Sequence, residues 1–146
     1  MKMKAIICDL DGTLSLNTSG RSYYDASECD RDTVNVPVGD LLDLIQYQDY
    51  PCVTIIYLSG REDKYKEPTL RFLEENGFYD DCNAYVELYM RKTGDNRSDD
   101  IIKWEIYKEH IEPLYEVMFA LDDRDRVVNM WRSNGISCFQ VAPGDF

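Results

Sequence analysis

Residues 4–8, Lys-Ala-Ile-Ile-Cys, are almost uniformly small or apolar, and Asp9-Leu10-Asp11-Gly12-Thr13 follows at once. A strand apolar at successive positions is buried on both sides of its pleat, as in a parallel sheet covered by helices. Two carboxylates one residue apart are a poor end for such a strand unless they share a task. Side chains two apart on extended backbone point the same way, so Asp9 and Asp11 can face one reaction centre. Gly12 permits a sharp turn there, and Thr13 can bond back into it. With each residue type near 5–7% of a sequence, D-x-D-G-T arises by chance with a frequency of about 10⁻³ along this chain.

The rest of the chain alternates strand and helix. Residues 14–36 are polar, rich in Ser, Asn, Asp and Tyr, and read as an irregular insertion. Pro37 suits the first turn of a helix carrying Val38, Leu41, Leu42, Leu44 and Ile45. Residues 53–58 read as a strand covered on both faces, 66–76 as a helix stopped by Gly77, and 84–89 as a weaker strand toward an edge. Ser98 can cap a helix running to about His110, with Asp99 and Asp100 at its positive end. Residues 117–121 form another buried strand, 124–134 a helix stopped by Gly135, and 136–141 the last strand. This order predicts an α/β fold: one domain over 1–146 with a doubly wound, mostly parallel sheet, a small insertion at 14–36 and no large cap. Such sheets place their working site beyond the carboxyl ends of the strands. Asp9 and Asp11 follow the first strand, Ser59-Gly60-Arg61 the second and Asp122-Asp123 the fourth. Three strands thus deliver polar residues to one edge.

Clustered carboxylates repel one another unless a cation sits among them. There is no Cys/His ligand cluster, so an all-oxygen set points to Mg²⁺. A calcium loop of the EF-hand kind fails, because the twelfth position counted from Asp9 is Gly20 rather than glutamate. Mg²⁺ with arginines is a means of neutralising phosphoryl oxygens. Asp9 can attack phosphorus to give an aspartyl-phosphate, and Asp11 can protonate the leaving oxygen and later take a proton from water. The Ser59 hydroxyl, the Gly60 N–H and the Arg61 guanidinium can hold the phosphate, and Lys103 can offset the charge that accumulates. Each has an ordinary reading alone: Ser59-Gly60-Arg61 as a turn, Asp122-Asp123 as a helix cap, Asp99 and Asp100 as first-turn acids, Lys103 as a solvated helix residue. Their joint order favours the site. His110 reads as structural and Trp104 and Trp131 as core. Tyr23 and Tyr24 suit loop packing, with stacking on a base left open.

Charge limits the partners. With 16 basic and 28 acidic side chains the formal charge is −12, which argues against a broad basic face for a duplex but not against a nucleic-acid end held by a few arginines. No apolar stretch approaches the roughly 20 residues of a membrane span, and no signal-peptide core precedes residue 4. Cys8, Cys29, Cys52, Cys82 and Cys138 are odd in number and scattered, as expected of reduced thiols in a cytoplasm.

The D-x-D-G-T, S-G-R, Lys103 and D-D-R series resembles the haloacid-dehalogenase (HAD) superfamily of Mg²⁺-dependent aspartyl-phosphate enzymes. At finer grain, DLDGTLSLNTSGRSYYDASECD, LSGRED, GDNRSDDIIKWEIYKEHI and ALDDRDRVVNMWRSNGISCFQVAPGDF resemble the 3′-phosphatase domain of bacteriophage-type polynucleotide kinase–phosphatases, from about Lys4 to Phe146. The resemblance implies a HAD-like Rossmannoid sheet, Asp9 as nucleophile and Asp11 as acid/base. It places Arg21, Ser59, Gly60 and Arg61 around the terminal phosphate or its neighbour, and makes Asp99 and Lys103 the third motif. It sets Asp9, the Asp11 main-chain carbonyl, Asp122 and Asp123 at Mg²⁺, with Asp123 the direct ligand and Asp122 in support. The implied substrates are 3′-phosphorylated DNA or RNA ends or 3′-nucleotides, in a cytoplasm (a host's, if phage-encoded). Two departures stand out. No P-loop G-x-x-x-x-G-K-S/T occurs, so a lone phosphatase half without a kinase domain in this chain is expected. The spacing from the first motif to Arg21 is slightly longer than in those relatives. An open site with only a 14–36 insertion suits a polymer end. A phosphatase of free nucleotides or other small phosphometabolites, its cover completed by an oligomer, and a non-catalytic module binding nucleic-acid ends are the alternatives.

Overall fold

The computed structural model describes residues 1–47 and 52–146. Its central strand is β1 (Met3–Cys8), buried on both faces as the apolar run requires. Ala5 and Ile7 pack with Val127, Val128 and Trp131, while Ile6 and Cys8 pack with Leu42, Phe72 and Leu73. The two clusters are the two layers between sheet and helices.

A short antiparallel pair, β2 (Ser15–Leu16) and β3 (Thr33–Val34), closes the base of the insertion. Residues 14–36 are therefore not irregular throughout. Helix α1 (Val36–Gln46) begins at its proline and buries Val38 and Leu42, leaving Leu41 and Leu44 outside. Strand β4 (Thr54–Glu62) and helix α2 (Lys66–Glu75) follow, then β5 (Val86–Arg91) and α3 (Asp99–Ile106), which continues as a π-helical stretch over 107–111. Strand β6 (Tyr115–Asp122), helix α4 (Asp125–Ser133) and strand β7 (Cys138–Gln140) complete the chain. The five-stranded sheet runs β5-β4-β1-β6-β7 with parallel neighbours throughout. Gly77 and Gly135 take positive φ just past α2 and α4, as stop signals do.

Three local expectations need correction. Strand β4 runs beyond Leu58 to Glu62, so Ser59-Gly60-Arg61 lies within the strand rather than in a turn after it. In its pairing with β5, Ser59 faces Met90 and Glu62 faces Arg91, so Gly60 and Arg61 bulge out between them. Strand β6 is not covered throughout: Tyr115 and Ala120 to Asp122 are buried, while Met118 between them is exposed. Ser98 occupies the N-cap position of α3, but its hydroxyl bonds Asp100 instead of a backbone N–H. No helix among the described residues is long and apolar enough to cross a membrane.

Candidate active site

Strand β1 lies between β4 and β6, so their carboxyl ends converge. There a cavity of about 420 Å³ opens, lined among others by Asp9, Asp11, Gly60, Arg61, Asp99, Lys103, Asp122 and Asp123. Arg21 and Ser59, also expected to hold phosphate, lie behind this lining rather than in it.

Asp9 extends β1 by one residue and is buried. Its Oδ1 accepts a 2.8 Å bond from Lys103 Nζ and its Oδ2 a 3.0 Å bond from the Thr13 hydroxyl. Lys103 is only 2% exposed, so it is no solvated helix residue. It also donates to Asp122 Oδ2 at 2.7 Å. Burial works against its charge, but Asp122 and Asp9 more than offset it and hold the ammonium protonated. Asp9 carries the opposite load: burial first, then Asp122, drive its carboxyl well above the carboxylate range, against the pull of Lys103. Burial and then Asp122 likewise raise Asp123.

One lysine therefore does not neutralise three acids. Asp9, Asp122 and Asp123 each present an oxygen within 4.8 Å of the others, a hard-donor set that suits Mg²⁺. Their roles in it differ. Asp122 is committed: Oδ2 to Lys103, and Oδ1 to the backbone N–H groups of Asp123 (2.9 Å) and Arg124 (3.2 Å). Asp123 accepts a long bond from the Thr13 hydroxyl, at 3.4 Å, whose single proton the closer Asp9 contests, and its carboxyl also lies against that of Asp9. Asp123 thus keeps most of its lone pairs for a ligand. Gly12 is required beside it, since its φ is +81° and a Cβ there would lie 2.2 Å from Asp123 Oδ2.

Asp11 sits in a different field. Arg61 grips it bidentately, Nε to Oδ2 at 2.9 Å and Nη2 to Oδ1 at 2.8 Å, and Arg21 Nη2 adds a 3.1 Å bond. Burial pushes the Asp11 carboxyl up, but Arg61 and then Arg21 outweigh it and the net shift is downward. The bulge in β4 is what aims Arg61 here. Behind both arginines lies Asp32, a buried residue that the sequence did not single out. It takes two bonds from Arg21, at 2.9 and 2.8 Å, one from the Ser15 hydroxyl at 2.6 Å and one from Arg61 at 3.3 Å. The β2–β3 pair brings Asp32 to Ser15, a contact with no local sequence signal. Ser59 Oγ accepts the Arg61 N–H at 3.1 Å, inside the bulge.

Asp99, at the start of α3, joins two arginines from other elements: Arg91, which also donates to the Gly60 carbonyl at 2.7 Å, and Arg124, at 2.6 Å. Arg124 in turn donates to the Tyr23 hydroxyl at 2.6 Å and lies 4.8 Å from the Phe146 ring. The segment after β7 braces the acidic turn. Gln140 donates to the Asp123 carbonyl at 2.9 Å, the Val141 N–H to that of Asp122 at 3.1 Å, and the Asp125 N–H to that of Gly144 at 2.7 Å. A Cβ at Gly144 would fall 1.9 Å from the Asp123 carbonyl oxygen, so only glycine passes.

Known proteins match this chain closely. The family model described as "Polynucleotide kinase PNKP phosphatase domain" covers residues 3–146. A protein of Autographa californica nuclear polyhedrosis virus, named as a bifunctional polynucleotide kinase/RNA ligase, is 32% identical over 131 residues; these are 88% of this chain and 18% of the viral protein. A chain in the structure of the Pnkp1/Rnl/Hen1 RNA repair complex superposes with a TM-score of 0.90 at 48% identity, over 99% of this chain and 44% of that one. The present chain thus spans less than half the length of either relative. A class C acid phosphatase from Bacillus anthracis, solved with tungstate bound, shares the fold with a TM-score of 0.61 at 19% identity, over 87% of this chain and 54% of its own.

Proposed function

The chain belongs to the phosphatase domains of polynucleotide kinase–phosphatases, within the HAD superfamily, and from that premise we propose that it removes the 3′-phosphate from polynucleotide ends through an aspartyl-phosphate. The observation that carries the mechanism is the opposed treatment of two carboxylates one residue apart: Asp9 among acids and a lysine, Asp11 between two arginines. One fits a nucleophile and the other a proton carrier.

In the first half-reaction an Asp9 carboxylate oxygen attacks phosphorus as the P–O3′ bond breaks. The departing 3′ oxygen takes a proton from Asp11 and leaves as the alcohol. In the second, water attacks the same phosphorus, Asp11 takes the water's proton, and the P–O bond to Asp9 breaks to release phosphate. For the acid role Asp11 must first be protonated, although Arg61 and Arg21 hold it ionised. The same guanidinium donors suit an arriving phosphate. If Arg61, the one of the two that lines the cavity, turns to it, Asp11 loses its bidentate partner while staying partly buried, and desolvation then favours its protonation. Substrate binding thereby prepares the acid. Mg²⁺ held by Asp9 and Asp123, with Asp122 orienting the turn, would supply positive charge to the phosphoryl oxygens and lower the repulsion at the nucleophile. Lys103 pulls Asp9 toward its ionised form, against burial and Asp122, and its bond to Oδ1 sets the turn of the carboxylate.

Among the described residues nothing larger than the 14–36 insertion covers the cavity, which suits the end of a polymer over a fully enclosed metabolite. The test compares phosphate release from a 3′-phosphorylated oligonucleotide, its 5′-phosphorylated isomer and free mononucleotides. The 3′-end should give the highest kcat/KM. Preference for mononucleotides would favour the metabolite reading, and no release from any of them would make the chain a binding module.

A further inference from the structure

We infer that the mouth of the cavity holds a second subsite, which takes the nucleoside body of the phosphate-bearing end: the Tyr24 ring stacks on the terminal base and Arg126 meets the next phosphodiester. This rests on the phosphatase reading and adds what the enzyme recognises beyond the phosphate.

Space is the first argument. A phosphoryl group fills a few water-sized volumes of roughly 30 Å³ each, so most of the 420 Å³ remains for whatever carries it. Tyr23, Tyr24, Tyr65 and Phe146 all line that remainder. They come from the insertion, the turn after β4 and the far end of the chain, so no local rule of packing put four rings together.

The rings are also held open. Arg124 bonds the Tyr23 hydroxyl at 2.6 Å and lies 4.8 Å from the Phe146 ring centroid. Tyr23 meets Tyr24 edge to face, with centroids 5.3 Å apart and planes at 89°. Tyr24 is nevertheless 87% exposed, so most of its ring stands open to solvent. A ring kept for loop packing would be covered. Its hydroxyl has no protein partner among the described residues. An exposed ring at the mouth of an arginine-lined cavity is a platform on which single-stranded bases stack.

Charge completes the subsite. Six of the chain's 16 lysines and arginines line this cavity in a protein of charge −12. Among the described residues five of the six are paired with carboxylates, and Arg126 is the exception: its Nη1 donates only to the Ser98 hydroxyl, at 2.9 Å. Arg126 also stands in the first turn of α4, the end of a helix dipole that disfavours a cation. A side chain placed against its own helix, unpaired and at the mouth, is what a phosphodiester would use.

The experiment uses trinucleotides bearing a 3′-phosphate, with either a base or an abasic tetrahydrofuran at the terminal position, and with either a natural or an uncharged methylphosphonate linkage before it. We expect kcat/KM to favour the base by about tenfold, the scale of one base stacked on an aromatic ring. Tyr24→Ala should bring that ratio near one and Tyr24→Phe should keep it. Arg126→Ala should erase the preference for the charged linkage without erasing that for the base. Calorimetric titration reads the same ratios as affinities, whether or not phosphate is released. Release from the abasic substrate without preference for the base, or a preference that survives Tyr24→Ala, overturns the subsite and leaves the phosphatase standing. No release from any substrate, with the base still preferred in binding, instead overturns the phosphatase reading and leaves the subsite standing.

Discussion

Replacing Lys103 by methionine tests the charge balance of the site. The methionine keeps most of the apolar stem and removes the ammonium that bonds Asp9 at 2.8 Å and Asp122 at 2.7 Å. Removing one partner from a buried charge cluster costs about 3–5 kcal/mol. Coulomb's law gives a similar scale, since two like charges about 4 Å apart repel by about 4 kcal/mol at an effective dielectric of 20. For 146 residues the unfolding entropy is about 0.3 kcal/mol/K. The melting temperature should therefore fall by about 10–16 °C in chelator. Mg²⁺ bound among these acids would supply the missing positive charge, so it should raise the Tm of Lys103→Met more than that of the wild type. Circular-dichroism melts of both proteins, with EDTA and with Mg²⁺, read these shifts, and Lys103→Arg controls for charge. A Lys103→Met protein melting within 3 °C of wild type in EDTA, or one no more responsive to Mg²⁺, would refute the reasoning.

Asp122→Ala should lower stability by about 3 kcal/mol, because it removes one of the two carboxylates that hold Lys103 and strands two backbone N–H groups; Asp123→Ala should leave the fold but remove the rise in Tm on adding Mg²⁺, and melts in both conditions distinguish the two. Asp32→Asn should lower kcat/KM by about 10²-fold and stability by about 3 kcal/mol, since an amide N–H would face the Arg21 and Arg61 donors, displace them and leave their buried charges short of a partner; activity assays and melts read the two effects. Gly144→Ala should cost about 1–3 kcal/mol in a denaturant titration and weaken Mg²⁺ binding, because its Cβ collides with the backbone that carries Asp123.

What could be read in the sequence was whatever broke a local rule. Asp9 and Asp11 ended an apolar run, Asp122-Asp123 repeated the break after another strand, and the helix stops at Gly77 and Gly135 fell where glycines allowed them. The sheet followed from those alternations. Pairings made by distant segments were not legible. Asp32 looked like one acid among several in a polar stretch, and only the β2–β3 pair and Arg21 make it part of the site. The Gly60-Arg61 bulge read as a turn because strand and turn share that composition; its register against β5 decides the matter. Lys103 could be proposed but not weighed, since its burial depends on both Asp9 and Asp122. The QVAPGDF ending stood out as specific, yet its work of bracing the Asp122-Asp123 turn through Gln140, Val141 and Gly144 exists only in three dimensions. His110, read as structural, stacks on Tyr89 with centroids 5.3 Å apart, a pairing no local pattern showed.

The account rests most heavily on Asp9 as the group that accepts the phosphoryl. Mixing the enzyme with an oligonucleotide carrying a radiolabelled 3′-phosphate, quenching in acid over a series of times and mapping the label in the digested protein tests this directly. The Asp11→Asn variant is run alongside, because losing the base slows breakdown of the intermediate. The expected result is an acid-stable label on the peptide containing Asp9, longer-lived in Asp11→Asn after a chase with unlabelled substrate and absent from Asp9→Asn, which should lose at least about 10³-fold in turnover. Steady release of phosphate with no label in either wild type or Asp11→Asn at any time, or with the label on another residue, would contradict the account.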